Sequence, residues 1–66
     1  MRSEISYQSD KGAYRLQVVK RTEQAANVYT SVLTNTVTGA TQTVDGWRNR
    51  PDAVDYVQRM YAARLI

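Results

Sequence analysis

Branched and aromatic residues are concentrated in two short stretches near the middle of the chain, residues 28–34 and 41–44. Val, Thr and Tyr favour pleated strands and are poor helix formers, so the two stretches predict an antiparallel pair. Between them, Asn35 can bond the backbone two residues on, and Gly39 can adopt the left-handed conformation. A four-residue loop, residues 36–39, sets the predicted register. The predicted pairs are Asn35 with Ala40, Leu33 with Gln42, Val32 with Thr43, Ser31 with Val44 and Tyr29 with Gly46.

A period of two also marks an earlier pair of strands, with apolar positions at Ile5, Tyr7, Tyr14, Leu16 and Val18. Residues 9–12 separate them and, like the second loop, end in glycine. The same loop rule predicts that Tyr7 faces Tyr14 and that Ile5 faces Leu16, all on the buried side. Residues 20–26 are interpreted as a polar connection with room for a helical turn.

The period changes to that of a helix after Trp47. Asn49 is a capping residue, Pro51 falls in the first turn, and Asp52 suits the positive end of the helix dipole. Apolar residues then recur at helical spacing to about residue 65. The sequence therefore predicts a single α+β domain over residues 1–66, a three- to four-stranded antiparallel β-meander with one C-terminal α-helix packed on one face (ββββα).

One helix covers one face of such a sheet, so the other face is expected to stay open. The Tyr29, Leu33 and Val44 side of the central hairpin is predicted to face the helix, because the opposite side carries Asp45 and burying an unpaired carboxylate is costly. Trp47 is placed on that opposite side, either as an interface anchor or folded over the helix start. The predicted open face contains Arg15, Gln17, Val19, Val28, Thr30, Val32, Thr34, Thr41 and Thr43.

Composition narrows the chemistry. The chain has no His and no Cys, which removes the commonest general base and the commonest zinc ligands. Asp45 suits a strand end, and Asp52 and Asp55 suit the first helical turns, so we predict no metal site. Without a His to act as a base, we also predict no catalytic residue, and we predict no cofactor. No apolar run is long enough to span a membrane, and the N-terminus is too polar for a signal peptide, so a cytoplasmic location is expected.

The charge pattern gives an alternative function. Nine Lys and Arg residues against six Asp and Glu give a net charge of +3. In a meander, one end of the sheet gathers five cations and four acids, which makes a basic edge of small net charge. The cations at this end are Arg2, Lys20, Arg21, Arg48 and Arg50, and the acids are Glu4, Glu23, Asp45 and Asp52.

The segments VLTNTVTGATQT and WRNRPDAVDYVQRM follow a hairpin-then-helix order. Over roughly residues 27–60 this order resembles the arm-type DNA-binding domain of phage integrases. The resemblance implies DNA binding through the sheet, and Lys20, Arg21, Arg48 and Arg50 are the nucleic-acid-binding residues of this alternative. After its TG turn the family typically shows a run of Lys and Arg, where this chain has Ala40, Thr41 and Gln42.

The first hypothesis is a small non-enzymatic binding protein, of the inhibitor or adaptor type that phages also encode. It is expected to dock to a partner protein, or to itself as a homodimer, through the open face, with no small-molecule substrate and no membrane. The expected partner-binding residues are Arg15, Val28, Thr30, Val32, Thr43 and Trp47.

Overall fold

A computed structural model describes residues 2–23, 26–64 and 66. The chain forms four antiparallel strands in one sheet, paired in sequence order, and then one helix. Helix α1 packs on one side of the sheet, so the predicted ββββα architecture is confirmed with four strands. The elements are β1 (Arg2–Lys11), β2 (Tyr14–Glu23), β3 (Ala26–Asn35), β4 (Thr41–Trp47) and α1 (Arg50–Ala63).

The β3–β4 hairpin has the predicted loop. The Asn35 side chain accepts hydrogen bonds from the backbone N–H groups of Val37 at 3.0 Å and Thr38 at 3.2 Å. Gly39 has a φ of 81°, which L side chains rarely adopt. The Asn35 N–H donates to the Ala40 carbonyl at 2.8 Å. The three predicted pairs from Leu33–Gln42 to Ser31–Val44 are confirmed.

A β-bulge changes the register beyond Ser31. Tyr29 faces Trp47, so the predicted pairing of Tyr29 with Gly46 is wrong. Gly46 has a φ of 95°, the left-handed conformation in which glycine serves in bulges. Because the extra residue reverses the alternation, Trp47 lies on the helix side of the sheet and not on the open side as predicted.

The β1–β2 hairpin is longer than predicted and differently registered. Lys11 faces Tyr14 across a two-residue loop, and Gly12 takes the positive φ of 60° that a Gly-first hairpin turn requires. The predicted Tyr7–Tyr14 and Ile5–Leu16 pairs are therefore wrong, and Tyr7 faces Val18 instead.

A second bulge lies between Ile5 and Tyr7. Tyr7 keeps its predicted place on the helix side, where it packs against the core. Ile5 does not, because the extra residue turns it to the other face, opposite Val19, where 57% of its surface is exposed. The prediction that Ile5 belongs to the buried side is thus wrong.

The segment predicted as a polar connection is mostly strand. β2 continues to Glu23 and β3 begins at Ala26, so a helical turn is excluded from the described part of residues 20–26. Residues 24 and 25 lie outside the described residues. Paired polar residues such as Thr22 and Asn27 extend the sheet here, since ladder hydrogen bonds satisfy the backbone whatever the side chain.

Helix α1 starts where the sequence predicts. Asn49 is the N-cap, and its side chain accepts a hydrogen bond from the Asp52 N–H at 3.0 Å. Pro51 occupies the first turn, where no intrahelical N–H is needed. The helix ends at Ala63, and Arg64 caps it with a φ of 52°. The predicted end at residue 65 lies outside the described residues.

The core lies between the helix and the two central strands. Three sheet residues and three helix residues form it: Leu16, Val18, Leu33, Ala53, Val57 and Met60. Ser31 is buried among them, and its hydroxyl donates to the Ala53 carbonyl at 2.7 Å. All five tyrosines pack partly buried around this cluster. Tyr7, Tyr14 and Tyr29 lie on the inner sheet face, as predicted, and Tyr56 and Tyr61 lie among the apolar residues of the helix.

Candidate protein-docking face

Strand alternation places one set of side chains on the side of the sheet away from α1, and we call this set the open face. Within the described residues, no helix or loop packs over it. Every residue predicted for this face, other than Trp47, is found there. The open face comprises Ile5, Gln8 and Asp10 of β1, Arg15, Gln17, Val19 and Arg21 of β2, Val28, Thr30, Val32 and Thr34 of β3, and Thr41, Thr43 and Asp45 of β4.

The centre of the open face is apolar. Ile5 and Val19 are directly paired across β1 and β2. On β3, Val28 and Val32 flank Thr30, which is the residue opposite Val19. Val19 is thus the cross-strand neighbour of Ile5 and the diagonal neighbour of Val28 and Val32, at distances where side chains touch. Ile5 was missed by sequence reasoning, because a bulge of one residue leaves no clear signal in the hydrophobic pattern.

A polar network crosses the open face beside this apolar centre. Arg21 on β2 forms an ion pair with Asp45 on β4. The Asp45 carboxylate also accepts hydrogen bonds from the Thr30 hydroxyl and the Gly46 N–H, both at 2.8 Å. The Thr30 hydrogen bond is the largest cause that lowers the pKa of Asp45; burial opposes it, and the Gly46 N–H and Arg21 lower the pKa further. The carboxylate is thereby engaged within the chain, and it is poorly placed to act as a base.

The other end of the open face has a second internal pair. The Arg15 guanidinium donates to Asp10 at 3.0 Å, and Gln17 donates to Gln8 at 3.2 Å. Asp10 was predicted to lie in a loop and Arg21 to lie on a basic edge. Their place here follows from the two-residue turn and from the length of β2. Among the open-face residues whose side chains are described, the two cations are ion-paired with the two carboxylates, and these four charges sum to zero.

Trp47 lies apart from the open face. Its ring packs against Tyr56 of the helix, with ring centroids 5.1 Å apart, and belongs to the layer around the core. Its indole N–H is buried without a hydrogen-bond partner among the described residues. The indole also borders a shallow cleft at the β4 edge, together with Ala26, Asn27, Val28, Gly46 and Arg48. Any contact of Trp47 with a ligand would thus lie in this cleft or in a second one beside the helix, which it lines with Asp52 and Tyr56.

Two cations of the predicted basic edge are ion-paired within the chain, and a third is held by hydrogen bonds to an uncharged residue. Lys20 lies 3.8 Å from Glu4, and Arg21 is paired with Asp45. Arg50 donates to the Ser6 carbonyl at 3.1 and 3.2 Å and to the Ser6 hydroxyl at 3.0 Å. The side chains of Arg2 and Glu23, which were also predicted for this edge, lie outside the described residues.

Of the four predicted nucleic-acid-binding residues, Arg48 alone has no carboxylate or hydrogen-bond partner in the described part of the chain. Two further cations without a carboxylate, Lys11 and Arg64, lie at the opposite end of the molecule. They flank the ring of Tyr61 at 5.6 and 4.0 Å from its centroid. The cations available to a phosphate backbone are thus divided between two ends of a molecule whose longest extent is 36 Å.

In the part of the chain that is described, no three metal-ligating side chains converge, and no helix is long and apolar enough to cross a membrane. The fold and the open face define a small α+β domain with one uncovered sheet surface. Comparisons with known proteins find no matching family model, curated protein or solved structure. The resemblance to the integrase arm-type domain therefore depends on the quoted residues alone.

Proposed function

We propose that the protein is a small non-enzymatic binding domain that docks to a protein through its open face. One observation carries the proposal, namely an apolar centre that no described helix or loop covers, formed by the exposed Ile5 and the half-buried Val19, Val28 and Val32. The described charges around it are matched within the chain. A surface of this kind gains free energy when another apolar surface excludes water from it. Its charges do not select a strongly charged partner, because they carry no net field.

The anchors of this interface are the four branched residues Ile5, Val19, Val28 and Val32, with threonine side chains around them. Threonine hydroxyls both donate and accept hydrogen bonds, so they suit the polar rim of a protein interface. Arg15 extends from the edge of the face, where 44% of its side chain is exposed, and can contact a partner without losing Asp10. Trp47 is not part of this interface.

Photo-crosslinking at two matched glutamines tests the proposal. A photoreactive amino acid replaces Gln17 at the centre of the open face, or Gln58 on the exposed side of the helix. We expect position 17 to crosslink to protein, in purified samples or in extract, and position 58 to crosslink far less. Equal labelling from the two positions, or no protein adduct from position 17, would overturn the proposal.

Nucleic acid binding, the alternative, is tested by a gel-shift titration across salt. Binding to phosphates releases counterions, so genuine binding weakens steeply as salt rises. Because Lys20, Arg21 and Arg50 already have partners, we expect no shift of this kind. A salt-dependent complex that is lost in Arg48→Ala would instead favour the basic edge over the open face.

A further inference from the structure

We infer that the partner of the open face is a second copy of this chain, so that two sheets pack face to face in a symmetric dimer. This inference rests on the proposed function and names the partner of the open face.

The first ground is charge. Two open faces meet without net repulsion between their described charges, because Arg15 is paired with Asp10 and Arg21 is paired with Asp45. The described charges outside the open face are six cations and three carboxylates, so the rest of the described surface has a net positive charge, whereas the open face does not. The charged residues outside the open face are Lys11, Lys20, Arg48, Arg50, Arg59 and Arg64 against Glu4, Asp52 and Asp55.

The second ground is self-complementarity. A two-fold interface brings the same patch of both copies together, so each group must be able to meet a group from the same set. Branched apolar side chains interdigitate when sheets pack about 10 Å apart. The threonines of β3 and β4 can donate to a threonine and accept from one. The open face provides these two kinds of side chain from Val19, Val28 and Val32 and from Thr34, Thr41 and Thr43.

The third ground is size. The sheet has four strands of up to ten residues, which at the usual rise and strand spacing make a face of roughly 33 by 19 Å. Such a face gives roughly 600 Å² per copy, near the lower end of specific protein interfaces.

The monomer has a core of six buried apolar residues and no cysteine with which to crosslink itself. Small domains of this kind are commonly stabilised by association. Interfaces at the low end of this size range are often weak, so we expect a reversible dimer with a Kd of about 10 to 100 μM.

Sedimentation velocity over about 1 μM to 1 mM tests the inference. We expect the wild-type protein to pass from monomer to dimer, and Val32→Glu to weaken dimerisation at least about tenfold by burying a charge at the interface. Val37→Glu is the matched control, because Val37 lies in the β3–β4 loop with 80% of its surface exposed. It should dimerise like the wild type. Thr43→Glu provides a second variant on the same face, and circular dichroism verifies that each variant is folded.

Two sedimentation results would overturn the inference, and crosslinking at position 17 distinguishes them from failure of the proposed function. A wild-type protein that stays monomeric throughout, or a Val32→Glu protein that dimerises like the wild type, excludes a face-to-face dimer. If position 17 nevertheless crosslinks to another protein in extract, the docking function stands and the partner is not a second copy. If position 17 yields no protein adduct at all, both fail. Raising the salt should leave the dimer unchanged or strengthen it, whereas weakening would indicate a charge-driven contact.

Discussion

Ile5 lies directly across from Val19 in the β1–β2 ladder, and both side chains face away from the helix. Ordinary alternation would have placed Ile5 on the same side as Tyr7, two residues on. The bulge between them turns Ile5 outwards and leaves 57% of its surface exposed. A large aliphatic residue is thereby added to an apolar surface that already has three valines.

The position of Ile5 predicts that its removal affects association more than folding. Ile5→Ser should change the free energy of unfolding by no more than about 0.5 kcal/mol, since mutations at exposed sites rarely cost more. It should weaken the dimer severalfold, because that area is buried only between copies. Urea unfolding at low concentration and sedimentation at high concentration measure the two effects, with Val37→Ser as the exposed control. A loss of stability above about 1.5 kcal/mol would mean that Ile5 is buried within the monomer.

The buried hydroxyl of Ser31 connects the sheet to the helix through the Ala53 carbonyl at 2.7 Å. Ser31→Ala should lower the free energy of unfolding by about 1 kcal/mol, the usual net contribution of one such hydrogen bond. Ser31→Val should cost more, because the site is fully enclosed and the added methyl groups overpack it. Chemical denaturation measures both, and a fully stable Ser31→Val would show that the helix does not pack tightly over this position.

Arg50 has a structural role at the bulge. Its guanidinium holds the Ser6 carbonyl and hydroxyl, and it lies 5.8 Å from the ring of Tyr7. Arg50→Ala should therefore cost about 1 kcal/mol in the free energy of unfolding. Arg59→Ala is the comparison, since Arg59 forms only an exposed pair with Asp55 one helical turn away, and it should cost less than about 0.5 kcal/mol. Equal stabilities for the two variants would leave Arg50 available for a ligand.

The lowered pKa of Asp45, caused first by the Thr30 hydrogen bond, predicts a dependence of stability on pH. The folded state binds the Asp45 proton more weakly than the unfolded state does. The resulting stabilisation is therefore complete above the unfolded pKa of about 3.9 and is lost as the pH falls through the lower, folded pKa. Urea unfolding at neutral pH and near pH 3 should show a smaller loss in Asp45→Asn than in the wild type. An identical loss in both proteins would contradict this role for Asp45.

The sequence predicted those features that depend on local chemistry. Asn49 caps the helix, Asn35 and Gly39 shape the second loop, and the pairs from Leu33–Gln42 to Ser31–Val44 follow from that loop. Turn residues and caps act over three or four positions, so they can be identified in a single sequence. The choice of which sheet face the helix covers was also correct, because Asp45 would have been costly to bury.

The two bulges could not be predicted. A bulge adds one residue to one strand, and its position depends on how the whole strand packs. The consequences were opposite for two hydrophobic residues, since Ile5 moved to the open face and Trp47 moved to the helix side. The first hairpin loop was also misjudged, because Gly12 supports a two-residue turn as readily as the end of a longer loop.

Solvent accessibility of the open face at two protein concentrations shows whether two copies of the chain associate through it. A soluble paramagnetic probe broadens the NMR signals of exposed groups, and it can be applied at about 5 μM and about 1 mM protein, below and above the expected range of Kd. We expect the methyl signals of Val19, Val28 and Val32 to be broadened at the low concentration and protected at the high one. The signal of the exposed helix residue Ala62 should be broadened at both concentrations. Broadening of the three valines at both concentrations would contradict a dimer through this face, and protection that appears at Ala62 instead would place the interface on the helix.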